Sequence, residues 1–262
     1  MHFVHSPIRS AYINYMVNYY MTVISTKKVK IYFGDATDII QPAPYAHTDH
    51  GSSSHILTLA PYNKLTTYLP LQNLLFLQQT HSTTGYTIKQ DAPLPSPFSL
   101  IGDFLITDKP HCGIGVLAAD CMPIAYYDGA HNIIALAHAG WRGSVNNIAQ
   151  KTLQQMMRDC GTRPQDCTVW LGPSAQSCCY QVGPEWVDSM PEHIEEYVTK
   201  RDNSWYFDMP KLICAQLLAG GITPQAIQLD CHACTMCNNS MYHSHRSHKE
   251  RAGRQMTVMC LE

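Results

Sequence analysis

The sequence predicts an α/β fold, a single-domain layered sandwich with a mixed β-sheet. Three observations carry that expectation. Short apolar runs with turn-rich flanks crowd residues 56–138, the apolar spacing becomes helical after Gly143, and strands and helices do not alternate for long enough to build a barrel. At 262 residues the chain is long enough for one large core.

The first fifty or so residues mix Tyr, Asn, His and Met without periodicity, and residues 41–54 form a Pro-, His- and Ser-rich loop. Residues 1–54 are therefore expected as an N-terminal segment packed on, or extending, a core of residues 55–262. Within that core the apolar runs 56–60, 74–77, 104–106, 114–119, 123–127 and 133–137 have strand length and strand flanks. Asp128-Gly129 is a hairpin signal, so 122–128 and 132–138 should pair antiparallel. Val145, Ile148, Ala149, Thr152 and Met156 then fall on one helical face, which predicts a helix over 144–159 with Ser144 as its N-cap. Residues 169–171 read as a strand closing on Gly172-Pro173, 210–218 as a helix stopped by Gly220-Gly221, and 256–260 as a last strand.

Composition narrows the function classes. Lys and Arg total 18 against 20 for Asp and Glu, a net charge of −2, so nothing draws the chain to nucleic acid or to an anionic membrane. The apolar-looking residues 11–24 contain Asn14 and Asn18 and fall short of the roughly 20 residues a bilayer span needs. Residues 1–10 offer only Arg9 as a basic start and no A-x-A site follows, so a cytoplasmic location is expected. There, 11 cysteines and 14 histidines argue for thiols and metal ligation over a disulfide framework.

The strongest local signal is Ala137-His138-Ala139-Gly140-Trp141-Arg142-Gly143, where a strand end, a glycine-flanked turn and a helix start meet. Free amides at such a turn attract an anion, Gly140 and Gly143 permit close approach, and Arg142 adds a cationic fork, although a tight turn with a core Trp141 and a surface Arg142 has the same spacing. In Ala118-Ala119-Asp120-Cys121-Met122-Pro123, Cys121 sits at a strand edge beside an acid. Asp120 is a candidate general acid or base, and Cys121 is either a thiolate ligand or nucleophile or an ordinary core thiol. His81 closes Gln78-Gln79-Thr80-His81 after another predicted strand. Three strand ends on one side of a sheet can converge, as a zinc site with an open fourth position requires, which nominates His81, Cys121 and His138.

Cys231-x2-Cys234-x2-Cys237 contains two overlapping pairs that can bind a second metal, but Met241 stands where a ferredoxin motif needs its fourth Cys. Packing thiols are the plainer expectation. Arg246 and Arg254, in the basic stretch that follows, are candidates to reach a substrate phosphate, with a solvated face as the alternative.

Taken together, Gln79-Thr80-His81, the block from Gly102 to Asp108, Ala119-Asp120-Cys121-Met122-Pro123, His138-Ala139-Gly140-Trp141-Arg142-Gly143, Gly172-Pro173-Ser174 with Cys179-Tyr180-Gln181-Val182-Gly183, and Gly253-Arg254 resemble one family in order and spacing. It is the laccase-domain, or polyphenol oxidase, family of purine nucleoside phosphorylases. The resemblance implies one α/β sandwich domain and zinc bound at His81, Cys121 and His138. It further implies phosphorolysis of adenosine, inosine and methylthioadenosine, with adenosine deamination beside it. The partners would be purine nucleosides and phosphate, and the chain a monomer or weak homo-oligomer. Ser82 stands where the family has Gly, Ser244-His245-Arg246-Ser247 where it has S-Y-R-R, and its N-terminal R-x-G-G-x-S has no counterpart. Rival readings are a copper oxidase, disfavoured because His243 and His245 form the only H-x-H; a cysteine hydrolase or amidase, including one that edits cell-wall peptides, using Cys121 with His138; and a non-catalytic metal buffer.

Overall fold

In a computed structural model, which describes residues 14–18, 21–38, 40, 51–60 and 62–262, the chain builds two six-stranded mixed sheets and one small antiparallel sheet. In chain order the elements are β1 (Asn14–Asn18), β2 (Met21–Ser25), β3 (Val29–Phe33), β4 (Asn73–Phe76), β5 (Gly85–Ile88), β6 (Phe104–Thr107), β7 (Cys112–Ala118), β8 (Met122–Asp128), β9 (Ile133–Ala139), α1 (Trp141–Val145) and α2 (Ile148–Cys160). They continue with β10 (Cys167–Leu171), β11 (Gln181–Val182), α3 (Pro184–Asp188), β12 (Val198–Arg201), β13 (Ser204–Phe207), α4 (Met209–Ala219), β14 (Ile227–Gln228), α5 (His245–His248) and β15 (Gln255–Leu261). One large sheet runs β1-β2-β3-β15-β7-β4 and the other β14-β10-β8-β9-β6-β5, with β11-β13-β12 as the small third.

The layering follows from the strand period of two. Along β9, Ile133, Ala135 and Ala137 join the core beneath α2 and α4, while Ile134 and Leu136 face the other large sheet. Phe104, Leu105 and Ile106 of β6 divide in the same way. In the first sheet Leu75 points inward and Leu74 and Phe76 outward, where Ile56, Leu57 and Leu65 cover them. The central strands of the two large sheets, β7, β8, β9 and β15, are buried on both faces, which is why they read as unbroken apolar runs rather than alternating ones. The predicted α/β sandwich with mixed sheets is the observed architecture.

Two predicted elements differ. The run 56–60 was expected as a strand, but His55–Thr58 is a 3-10 helix whose Ile56 and Leu57 are buried. A short apolar run has no period long enough to separate strand from helical turn. The helix expected over 144–159 with Ser144 as its cap is instead two helices. Gly140 caps α1, the Ser144 hydroxyl donates back to the Gly140 carbonyl at 2.9 Å, and Asn147, left-handed at φ 62°, separates α1 from α2. The 122–128 and 132–138 hairpin forms as β8 and β9, with Asp128 opposite Ile133 and its carboxylate accepting the Ala130 and His131 amides in the turn. Residues 41–50 of the expected N-terminal loop lie outside the described residues. Strands β2 and β3 add to the sheet of β15, and among the described residues no helix is long and apolar enough to cross a membrane.

Candidate metal centre and anion pocket

Three chain segments meet where β4, β7 and β9 end. After β4 the chain is tied to the end of β7 by Gln79, whose side-chain amide donates to the Leu117 carbonyl at 2.7 Å and accepts the Leu117 amide at 2.8 Å. It then turns through His81, held in a left-handed conformation at φ 61°. That conformation costs a non-glycine residue free energy, and Asp103 offsets the cost. Its Oδ1 accepts the His81 amide at 3.0 Å, and its Oδ2 accepts the Ser82 amide and hydroxyl, both at 2.7 Å. Ser82, where the resembled family has Gly, thus adds a hydroxyl donor to this acid.

Asp103 also fixes His138. Its carbonyl accepts the His138 amide at 2.7 Å and its Oδ1 accepts from His138 Nδ1 at 2.9 Å. With the Nδ1 proton so held, Nε2 is the ring atom left to bind a metal or to share a proton with Cys121. Cys121 arrives from the other strand of the hairpin, whose register sets Met122 opposite Ala139. Before it, Asp120 is left-handed at φ 86°, with its Oδ1 accepting the Thr235 hydroxyl and its Oδ2 the Arg246 amide, each at 2.7 Å. Gly140 closes the group: a Cβ there would lie 2.4 Å from His81 Cδ2 and 3.2 Å from Cys121 Sγ, so the position tolerates only glycine without displacing a donor.

The donor atoms of His81, Cys121 and His138 all lie within 4.8 Å of one another, and His81 Nε2 is 3.7 Å from Cys121 Sγ. Zinc bonds of about 2.3 Å to sulfur and about 2.0 Å to nitrogen put tetrahedral neighbours roughly 3.5 Å apart, so the donor set fits that ion. Buried His138, half-buried Cys121 and exposed His81 grade from the core to the surface. Burial opposes ionisation of the Cys121 thiol, but the His138 and His81 imidazoles outweigh it and bring it down to about 6. Burial likewise opposes a charged His138, yet Cys121 and Asp103 lift it to about 9. Asp103, despite burial, is held down to about 2 by His138 and Ser82. Without a metal the centre is therefore a thiolate–imidazolium pair backed by a carboxylate.

The centre floors a cavity of about 390 Å³. Trp141 and Tyr180 give it aromatic walls, and Arg142, Arg246 and Arg254 line it, so the three arginines nominated from sequence do converge on the donor triad. Arg142 is exposed and stacks on Trp141 at 4.4 Å. Arg246 lies 4.8 Å over Tyr180 and donates to the Gln181 carbonyl, while Arg254 donates to the Ala252 and Gly253 carbonyls. Gly143 is buried against the Ser82 carbonyl. Sequence reasoning missed Asp103, Gln79, Tyr180 and His245 as site residues. The acid in Gly102-Asp103-Phe104, directly before a strand, was the available signal for the first. The Cys231, Cys234 and Cys237 series divides: Cys231 is buried between the large sheets, whereas Cys234 and Cys237 gather with Cys178 and Cys179.

The sequence pattern of the multi-copper polyphenol oxidoreductase laccase family matches residues 60–262. A purine nucleoside phosphorylase of Clostridium acetobutylicum is 30% identical over 186 residues, spanning 70% of this chain and 75% of that protein. Adenosine deaminase RL5, from an unknown prokaryotic organism, is 29% identical over 202 residues, spanning 71% and 74%. The crystal structure of the hypothetical protein YfiH of Bacillus licheniformis shares the fold, with a TM-score of 0.75 over 95% of this chain and 99% of that one at 21% identity. With most of its length matched and with relatives named for purine nucleoside phosphorolysis, this chain belongs to the multi-copper polyphenol oxidoreductase laccase family.

Proposed function

We propose that this chain is a zinc-dependent purine nucleoside phosphorylase acting on adenosine, inosine and methylthioadenosine, with adenosine deaminase activity. The observation that carries the reading is the meeting of a His–Cys–His donor set with three arginines and two aromatic rings in one cavity. Zinc held by His81, Cys121 and His138 would supply Lewis-acid polarisation. The chain's own residues do the rest. Arg142, Arg246 and Arg254 bind the phosphate, and the last two have part of their guanidinium donors already spent on backbone carbonyls, so their orientation is fixed before substrate arrives. The amides at Gly140 to Gly143, at the start of α1, add donors on the Arg142 side. Trp141 and Tyr180, each with an arginine over one face of its ring, wall the space for the purine and ribose. Asp120, nominated from sequence as an acid or base, has both oxygens engaged and is assigned here as a positioning residue that holds the backbone of Arg246.

The same reading takes the chain as a cytoplasmic enzyme, a monomer or weak homo-oligomer, with 55–262 as its core and 1–54 as an extension of that domain. Relatives carrying the names purine nucleoside phosphorylase and adenosine deaminase support both reactions. One observation favours a second reading, the ionised Cys121 beside His138, which is also the apparatus of a cysteine hydrolase. The test is adenine release from adenosine: phosphorolysis requires phosphate and hydrolysis does not. Arg142→Ala should weaken phosphate use by about 1.5–3 kcal/mol, the worth of a charge-assisted hydrogen bond, while leaving zinc content unchanged. Adenine release indifferent to phosphate would overturn the assignment.

A further inference from the structure

Eleven cysteines exceed what the centre uses, and most of the others have a plain explanation. Cys112, Cys167, Cys231 and Cys260 are buried as small core residues, and Cys160 and Cys214 are partly buried. Cys178 and Cys237 are exposed, Cys179 is half-buried, and core packing accounts for none of them. Together with Cys234 they form a cluster in which all four Sγ atoms lie within 4.8 Å of one another.

We propose that Cys178, Cys179, Cys234 and Cys237 bind a second, structural zinc ion that fastens the loop before β11 to the loop after β14. Four thiolates around one zinc, with bonds of about 2.3 Å, put neighbouring sulfurs roughly 3.8 Å apart. Cys237 Sγ lies 3.4 Å from Cys178 Sγ and 3.1 Å from Cys179 Sγ, which is single-ion spacing. A polynuclear iron–sulfur cluster interposes its own sulfides and holds its thiolates further apart. Within Cys234-x2-Cys237 the Cys237 amide donates to Cys234 Sγ at 3.5 Å, a bond that stabilises a ligating thiolate and sets its direction.

The two loops are already registered for this. Ser174 pairs with Cys234 in a parallel bridge, with the Ser174 amide donating to the Ala233 carbonyl and the Thr235 amide to the Ser174 carbonyl, each at 3.0–3.1 Å. Four thiolates on one dication leave two negative charges, and the Arg201 guanidinium donates to the carbonyl of Ser177, the residue before Cys178. Binding releases the four thiol protons to solvent and involves no redox step. The site has a purpose in the fold. Cys179 directly precedes Tyr180, a wall of the cavity, and Thr235, between the two cysteines of the other loop, donates to Asp120. An ion there braces the cavity from behind without touching substrate.

Zinc per chain, measured on protein purified under reductant from zinc-replete cells, tests this by difference. Cys237→Ser and Cys178→Ser, both at exposed positions, should each contain one zinc fewer than the parent, and Cys121→Ser should retain the ion that those variants lose. Cobalt loaded into Cys121→Ser should give intense sulfur-to-metal charge transfer that vanishes in Cys121→Ser/Cys237→Ser, with a cooperative melt showing that each variant is folded. Because the difference is read against the parent, it holds whether or not the His–Cys–His centre binds zinc. Equal zinc in the parent and in both Cys178→Ser and Cys237→Ser, iron with labile sulfide in place of zinc, or a disulfide among these four cysteines trapped by acid quench and alkylation of the cells before reductant is added would overturn the proposal.

Discussion

Replacing Asp103 by Asn keeps the shape of the side chain and removes its charge. The carboxylate accepts from His138 Nδ1, the His81 amide, and the Ser82 amide and hydroxyl, at distances between 2.7 and 3.0 Å. An amide group can accept on one side only. If its nitrogen faces Ser82, two donors point at a third; if it faces His138, the imidazole must present a lone pair at Nδ1 and move its proton to Nε2, the atom needed by the metal. Loss of such a supporting acid costs 10- to 100-fold in metal affinity, about 1.4–2.8 kcal/mol. Stability changes as well. A buried carboxyl at about 2 in place of its ordinary 3.8 contributes on the order of 2 kcal/mol to the metal-free chain. Because the folded value is the lower one, that contribution is complete above about pH 4 and is lost as pH falls towards 2. Zinc competition with a chelator and denaturant unfolding of metal-free protein measure the two effects. Asp103→Asn should bind zinc at least tenfold more weakly and be less stable at neutral pH, with the stability gap closing in acid. Unchanged affinity together with a pH-independent gap would refute the role given to Asp103.

Two further outcomes follow from the same geometry. Gly140→Ala puts a methyl 2.4 Å from His81 Cδ2 and 3.2 Å from Cys121 Sγ, so zinc retention should fall sharply while the thermal melt shifts little; a variant that keeps its metal would contradict the packing described. In metal-free protein Cys121 should alkylate with a midpoint near pH 6, its rate rising as the thiolate forms, as followed by peptide mass spectrometry. Zinc should protect it, and a midpoint at the ordinary thiol value, about 8.5, would refute the imidazole pairing.

The parts legible in the sequence were those where local pattern and tertiary role coincide. Strands β4, β6, β7, β8, β9, β10 and β15 are buried on both faces and so announce themselves as apolar runs. Strands β2 and β3 do not stand out because the Thr26-Lys27-Lys28 turn and the flanking polar residues break the run. The β12–β13 hairpin was missed although Asp202 and Asn203, at φ 47° and 61°, form the kind of two-residue turn that favours such residues. In the site, His81, Cys121 and His138 could be nominated because each follows an apolar run that reads as a strand. Asp103 acts through contacts with residues more than twenty positions away in either direction, which no local pattern exposes. The four-cysteine cluster was half visible: Cys234 and Cys237 share a motif, but their partners come from a loop nearly sixty residues earlier, while Cys231, equally spaced, turns into the core.

The central claim is that a metal held by three residues performs the chemistry, and His81 is the residue that separates it from a cysteine nucleophile paired with His138. Zinc content, and the adenine and inosine formed from adenosine with and without phosphate, should be measured for the parent, His81→Ala and Cys121→Ala. The account predicts that both variants lose the centre's zinc and both products together, and that the parent releases adenine only with phosphate. Full turnover in His81→Ala alongside a dead Cys121→Ala would contradict it and assign the reaction to the cysteine.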